Sequence, residues 1–140
     1  MSTFEIQGLK VPAFSGLGPH VNQAMSTCLV ALGPIPTGRY WVFDRQSGGL
    51  TGPLRDLFTG RSDWFALYGI DQKIDDEVYC GHVKRGRFRL HPKGMLGRSE
   101  GCIVIDENAD YMLVRSVLLR QKPQTVQGSP LKAYAVLSVL

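Results

Sequence analysis

The chain has 140 residues, of which 44% are hydrophobic, 20% charged and 9% aromatic. That composition excludes a disordered or fibrous protein, and at this size about two-thirds of the unfolded surface can be buried, so one compact domain over residues 1–140 is expected. The net charge of +4 is uneven: residues 62–80 sum to −4 (Asp63, Asp71, Asp75, Asp76 and Glu77 against Lys73), residues 81–100 to +5 (Lys84, Arg85, Arg87, Arg89, Lys93 and Arg98 against Glu100).

The first eight residues carry neither a basic nor an apolar leader region, and no apolar run approaches the roughly 20 residues of a membrane span. Neither a secretory signal nor a membrane span is therefore expected. Phe4-Glu5-Ile6 and Leu9-Lys10-Val11 alternate around Gln7-Gly8, the pattern of a β-hairpin. A loop follows at Phe14 to Pro19. Val21 to Leu32 is ambiguous between a short helix and a strand, because its apolar run has no clear period. Gly33-Pro34-Ile35-Pro36-Thr37-Gly38 reads as a rigid turn, and Arg39 to Asp44 as an aromatic, β-branched strand.

A further strand is expected at Trp64 to Tyr68, before an acidic turn at Asp71 to Glu77. In Gly86 to Pro92, Phe88 and Leu90 would share one face, and Arg87, Arg89 and His91 the other. Gly101 to Asp106 reads as a strand. Asn108 is placed to cap a helix from about Ala109 to Arg120, with Tyr111, Val114 and Leu118 on one face and Met112 beside it. Lys132 to Val139 suits a closing strand. The sum is a mainly β (α+β) fold, a small β-sandwich or barrel-like sheet with one principal helix near residues 109–120.

Three cysteines, at 28, 80 and 102, are an odd number without CxxC spacing. A disulfide framework is not expected, and at least one thiol should stay out of any bridge, in keeping with synthesis in a reducing cytoplasm. Cys28 lies in an apolar run and reads as core, and His20 as a surface-loop residue. Cys80 and His82 do not make up the three or four ligands of a zinc site, so neither metal nor cofactor is expected. Lys84, Arg85, Arg87 and Arg89 with Phe88 lack a nucleic-acid fold signature, so no nucleic acid is expected as a partner.

The most informative stretch runs from His91 to Ile103. A cysteine attacks as its thiolate, which needs an imidazole or a cationic field nearby. The 11 positions from His91 to Cys102 suffice for a strand end, a Gly-rich loop and the start of a second strand, which would return Cys102 to His91. Gly101 permits close backbone approach, and the amides around Gly101 and Cys102 are placed to serve an oxyanion. Ser99 is positioned to hydrogen-bond the imidazole and set its tautomer. The competing reading makes Cys102 a small core residue and the chain a non-enzymatic basic module for an anionic polymer. Its discriminator is thiol reactivity.

His91 followed by Gly97-Arg98-Ser99-Glu100-Gly101-Cys102-Ile103 resembles the L,D-transpeptidase motif, a His upstream of Ser/Thr-x-Gly-Cys and an aliphatic residue. More closely, the chain resembles the compact type VI secretion L,D-transpeptidase effectors, through Phe14-Ser15-Gly16, Gly33 to Tyr40, Asp63-Trp64-Phe65, Arg87 to Pro92 and Ser99 to Ile103. Two departures stand out. Glu100 replaces a customary His, and Val104 and Ile105 stand where an Arg usually follows the Cys. The His-to-Cys spacing is also shorter than in the housekeeping enzymes. Carboxylate recognition would then fall to Arg89 and Arg98.

The resemblance implies a cysteine enzyme acting on peptidoglycan stem peptides, with Cys102 as nucleophile, His91 as proton carrier, and no cofactor. It also implies a cognate immunity protein, and a secretion apparatus or adaptor that carries the enzyme from the cytoplasm into the periplasm of a rival cell.

Overall fold

The computed structural model describes residues 1–30, 32–44, 64–70, 77–80, 83–93, 101–126 and 132–140. Eleven strands and one α-helix are assigned among them: β1 (Ser2–Ile6), β2 (Leu9–Phe14), β3 (Gly38–Asp44), β4 (Phe65–Gly69), β5 (Glu77–Cys80), β6 (Val83–Gly86), β7 (Arg89–Pro92), β8 (Ile103–Ile105), α1 (Asn108–Arg120), β9 (Gln124–Thr125), β10 (Lys132–Ala133) and β11 (Ala135–Val139). Seven strands form one sheet in the order β1-β2-β8-β7-β4-β3-β11. Its neighbours are antiparallel except β7 and β8, which run parallel. The sheet curls into a half-barrel, so that its two edge strands, β1 and β11, both line one cleft of about 390 Å³. No helix among the described residues is long and apolar enough to cross a membrane.

The mainly β expectation with one helix holds, and its strongest parts are local. The β1–β2 hairpin turns at Gln7 and Gly8, both left-handed at φ 47° and 85°, which is the two-residue turn whose twist matches the flanking strands. On α1, Tyr111, Val114 and Leu118 are buried. They join Phe4, Val11, Tyr40, Val42, Leu67, Leu90, Ile103 and Ile105 in the main core. The opposite sheet face buries a smaller cluster, Phe43, Ala66 and Tyr68 under Val126 and Ala133. The β9–β10 pair thus caps the second face.

Five expectations change. The ambiguous run from Val21 folds mainly as turns, with one 3₁₀ turn at Ala24–Ser26 and neither a continuous helix nor a strand. The strand foreseen from Gly86 to Pro92 is broken: Arg87 takes φ +58°, which ends β6 and lets β7 restart at Arg89. Phe88 is buried there as a loop residue rather than by strand alternation. Asn108 is the first residue of α1 and Glu107 occupies the cap position, without a side-chain capping bond. The closing strand divides at Tyr134, because Lys132-Ala133 pairs with β9 while Ala135–Val139 pairs with β3. Finally, Cys28 is not core: it is exposed, and it forms a disulfide with Cys80 across 52 positions. Of the acidic turn, residues 71–76 lie outside the described residues.

Candidate active site

The site forms where β7 and β8 run side by side. Their register sets Leu90 opposite Ile103 and His91 opposite Val104. Residues opposite each other share a face, so alternation sends Leu90 and Ile103 to the helix-covered core and His91 and Val104 to the other side. Cys102 leads into β8 two positions before Val104, so alternation carried back past the strand end would put it on the His91 side.

His91 is only 5% exposed. Its ring lies flat against the indole of Trp64, with centroids 4.0 Å apart and planes 14° from parallel. Nδ1 is 2.7 Å from the carbonyl oxygen of Pro92. A carbonyl only accepts, so Nδ1–H donates and Nε2 carries the lone pair. The carbonyl of the next residue thereby favours this tautomer. Ser99 and Arg98 lie outside the described residues.

Gly101 turns the chain into β8 at φ +97°, where an L side chain is strained. It is also tightly enclosed: a Cβ there would stand 2.5 Å from Arg85 Nη2 and 2.8 Å from Phe88 Cε1. Its carbonyl accepts a hydrogen bond from the buried Ser15 hydroxyl at 3.3 Å, and Ser15 Oγ in turn accepts one from Ile35 N–H at 2.8 Å. Ser15 therefore joins three stretches far apart in sequence. Half-buried Cys102 follows, its Sγ 4.0 Å from the Arg87 carbonyl oxygen.

The wall behind Gly101 is built on Arg85 of β6, 4% exposed. Its guanidinium donates to the carbonyl oxygens of Thr27, Gly33 (3.1 Å) and Pro34 (2.8 Å), and it lies over the Phe88 ring at 5.2 Å. Tyr40 adds a bond from its hydroxyl to the Pro36 carbonyl at 2.8 Å. The Gly33–Pro36 turn is thus pinned from three sides, by Arg85, Ser15 and Tyr40. Gly33 is needed for the packing, since a Cβ there would stand 1.8 Å from the Ser26 carbonyl oxygen. Burial lowers the pKa of Arg85, partly offset by Tyr40 and Cys102, and burial pushes the Tyr40 phenol well above its ordinary value.

Arg89, proposed from sequence to grip carboxylates, opens β7 opposite Ala66, on the His91 face. It is half-buried and donates through Nη1 to the Phe88 carbonyl at 2.8 Å. Among the described residues, the basic side chains of this stretch do not all face outward. Arg85 is interior, Lys84 pairs with Glu77 at 2.7 Å, and Lys93 with Asp106 at 3.3 Å. Cys80 is in the disulfide, so the imagined Cys80–His82 pair has no thiolate to offer, and His82 lies outside the described residues.

Sequence reasoning missed Trp64, Ser15 and Arg85 as parts of the site. Trp64 and Ser15 sit within segments that carried the family resemblance, which was the available signal. Arg85 had none beyond its place in a charge run. A family model, the Tlde1 domain, matches residues 9–129. Neither the curated proteins nor the solved structures compared with the chain gave a match.

Proposed function

Because this chain belongs to the Tlde1 domain family, a family of type VI secretion effectors that act on peptidoglycan, we propose that it is a cysteine L,D-carboxypeptidase and L,D-transpeptidase working on stem peptides as a single catalytic domain. The observation that supports this reading is the parallel register of β7 and β8, which sets His91 opposite Val104, two positions after Cys102.

The chemistry follows from the groups in place. Nε2 of His91 takes the proton of the Cys102 thiol, because Nδ1 is committed to the Pro92 carbonyl. The thiolate attacks the carbonyl carbon of the diaminopimelate residue joined to terminal D-alanine. Negative charge gathers on the former carbonyl oxygen, where backbone amides at Gly101 and Cys102 would donate to it. As the tetrahedral intermediate collapses, the His91 imidazolium protonates the departing D-alanine nitrogen and the C–N bond breaks. A thioester on Cys102 remains. Water releases a tripeptide, whereas a free D-amino acid or a second stem takes the acyl group in exchange or cross-linking. Arg89 and Arg98 would hold substrate carboxylates in the fork geometry of a guanidinium.

Delivery into a rival's periplasm, with a secretion adaptor and an immunity protein as partners, completes the reading. The Cys28–Cys80 disulfide supports that address, since the periplasm sustains disulfides and the producing cytoplasm does not.

The test is mass spectrometry of purified tetrapeptide-stem fragments incubated with the protein. D-Alanine release and a transient acyl mass on Cys102 are expected, both absent in Cys102→Ala. Undiminished release by a folded Cys102→Ala chain would overturn the mechanism. For the address, export to the periplasm of a Gram-negative host should cause swelling or lysis that Cys102→Ala does not.

A further inference from the structure

Arg85 is an unusual residue to find inside so small a protein. A buried guanidinium is ordinarily balanced by a carboxylate, because desolvating a lone cation is expensive. Here the hydrogen-bond acceptors among the described residues are the carbonyl oxygens of Thr27, Gly33 and Pro34, with the face of Phe88 below. Those groups are dipoles. They solvate the cation without cancelling its charge.

The position of that charge is specific. Arg85 Nη2 stands against the missing side chain of Gly101, the residue before Cys102, and the Cys102 sulfur lies beside the carbonyl of Arg87, two residues along from Arg85. The left-handed glycine is what lets the guanidinium come so close behind the nucleophile. The seat is also stapled: Cys28 adjoins Thr27, whose carbonyl Arg85 holds, and its partner Cys80 lies on β5, the strand paired with the one that carries Arg85.

We propose that Arg85 is a positioning residue for the reaction, a fixed cation that holds the Cys102 sulfur in its thiolate form while its fork of donors fixes the 27–34 wall behind the site. The inference rests on the reading of Cys102 as nucleophile. The interaction is reciprocal, and Cys102 correspondingly favours the charged form of Arg85. Among the described residues, the charged and titratable groups around Cys102 are Arg85 from β6, which interacts electrostatically with Cys102 and Tyr40, Arg87, whose carbonyl Sγ approaches, and, from the neighbouring strand β7, Arg89 and His91. His91 must lose its proton again in every turnover, whereas an arginine keeps its charge throughout. A fixed cation therefore maintains the thiolate in the resting enzyme independently of the state of the imidazole.

The experiment is the pH profile of Cys102 alkylation by iodoacetamide on the whole, disulfide-intact chain, followed by mass. Cys102 is then the remaining thiol of three. The wild-type midpoint is expected at least about one pH unit below the ~8.5 of an ordinary thiol. Arg85→Met should raise it by about one unit or more. Well below the midpoint the alkylation rate should then drop about threefold per unit, because the thiolate becomes scarcer but intrinsically more nucleophilic. In the His91→Ala background the same substitution should still raise the midpoint.

If Arg85→Met does not fold, Arg85→Lys serves: it keeps the charge and loses the fork, so the midpoint should stay within about half a unit of wild type while the melting temperature falls. A merely structural Arg85 would leave the profile of folded Arg85→Met unmoved, and that result overturns the proposal. So does a wild-type midpoint at or above the ordinary thiol value, which needs no variant. D-Alanine release is scored separately. An ordinary thiol profile with intact release would sink the role of Arg85 and leave the nucleophile standing, whereas a depressed midpoint without release would sink the catalytic reading instead.

Discussion

Two basic side chains of the candidate site are buried to nearly the same degree, His91 at 5% exposure and Arg85 at 4%. Their surroundings differ in kind. His91 stands in the main sheet, one nitrogen bound to its own neighbour's carbonyl and its ring flat on Trp64, an arrangement that fixes its plane while leaving it able to gain and lose a proton. Arg85 stands in the β5–β6 hairpin, bound to carbonyls 51 to 58 positions away in the chain, and does not titrate in the working range. One flank is suited to moving a proton and the other to holding a charge still. On the proposed mechanism, keeping these duties on separate residues would let the leaving group be protonated without giving up the field that favours the Cys102 thiolate.

The largest effect should come from removing the mobile proton. His91→Ala is expected to reduce D-alanine release to background with circular dichroism unchanged, since no neighbouring side chain replaces a proton carrier held in this geometry. Appreciable release by the folded variant would assign the proton transfer elsewhere.

Gly101→Ala attacks the fixed flank instead. A left-handed alanine costs about 1–2 kcal/mol, and the new methyl must displace Arg85 and the buried Phe88 ring. A total destabilisation of about 2–4 kcal/mol is expected, read as a lower midpoint in urea unfolding. A midpoint equal to that of wild type would show that Arg85 is not held close behind this residue.

Cutting the staple by replacing Cys28 and Cys80 together with Ser should cost about 2–4 kcal/mol, from the entropy of the loop that the bond closes over 52 positions. For a chain of this size that is roughly a 10 °C fall in melting temperature. The residual activity at low temperature should exceed that of His91→Ala by a wide margin, because the bond braces the seat of Arg85 and takes no part in the chemistry. Activity as low as in His91→Ala, in a folded protein, would move the disulfide into the mechanism.

The smallest effect is expected at Trp64→Leu. Stacked aromatic pairs contribute about 0.5–1.5 kcal/mol beyond area burial, which corresponds to roughly a 2- to 13-fold loss of turnover if it is fully felt in the transition state. Because the Pro92 bond to Nδ1 survives the substitution, a complete loss would show that ring stacking, rather than that bond, sets the imidazole.

What was legible in the sequence follows the range of the forces involved. The β1–β2 hairpin could be read from four alternating residues and a Gln-Gly turn, and the buried face of α1 from the spacing of Tyr111, Val114 and Leu118, because both depend on neighbours within one turn of chain. Even there the cap was misplaced by one residue, since Asn108 entered the helix and Glu107 took the position outside it. The return of the chain past His91 was legible at one remove: an 11-residue interval can be recognised as long enough for it, but the parallel register that sets His91 opposite Val104, two positions after Cys102, exists only once β7 and β8 are aligned.

The second flank was not legible. Lys84-Arg85 is an ordinary pair of basic residues, one of which turns outward to Glu77 while the other is buried, and nothing local distinguishes them. What draws Arg85 inward is a set of carbonyls near residues 27–34, and what braces them is a bond between cysteines 52 positions apart that spacing alone did not pair. The sequence by itself determined the local elements, the residue types capable of thiol chemistry and the resemblance that named their family. Only the tertiary structure decided which basic side chain would stand behind Gly101, because a buried charge is sited by the dipoles that the whole fold gathers around it.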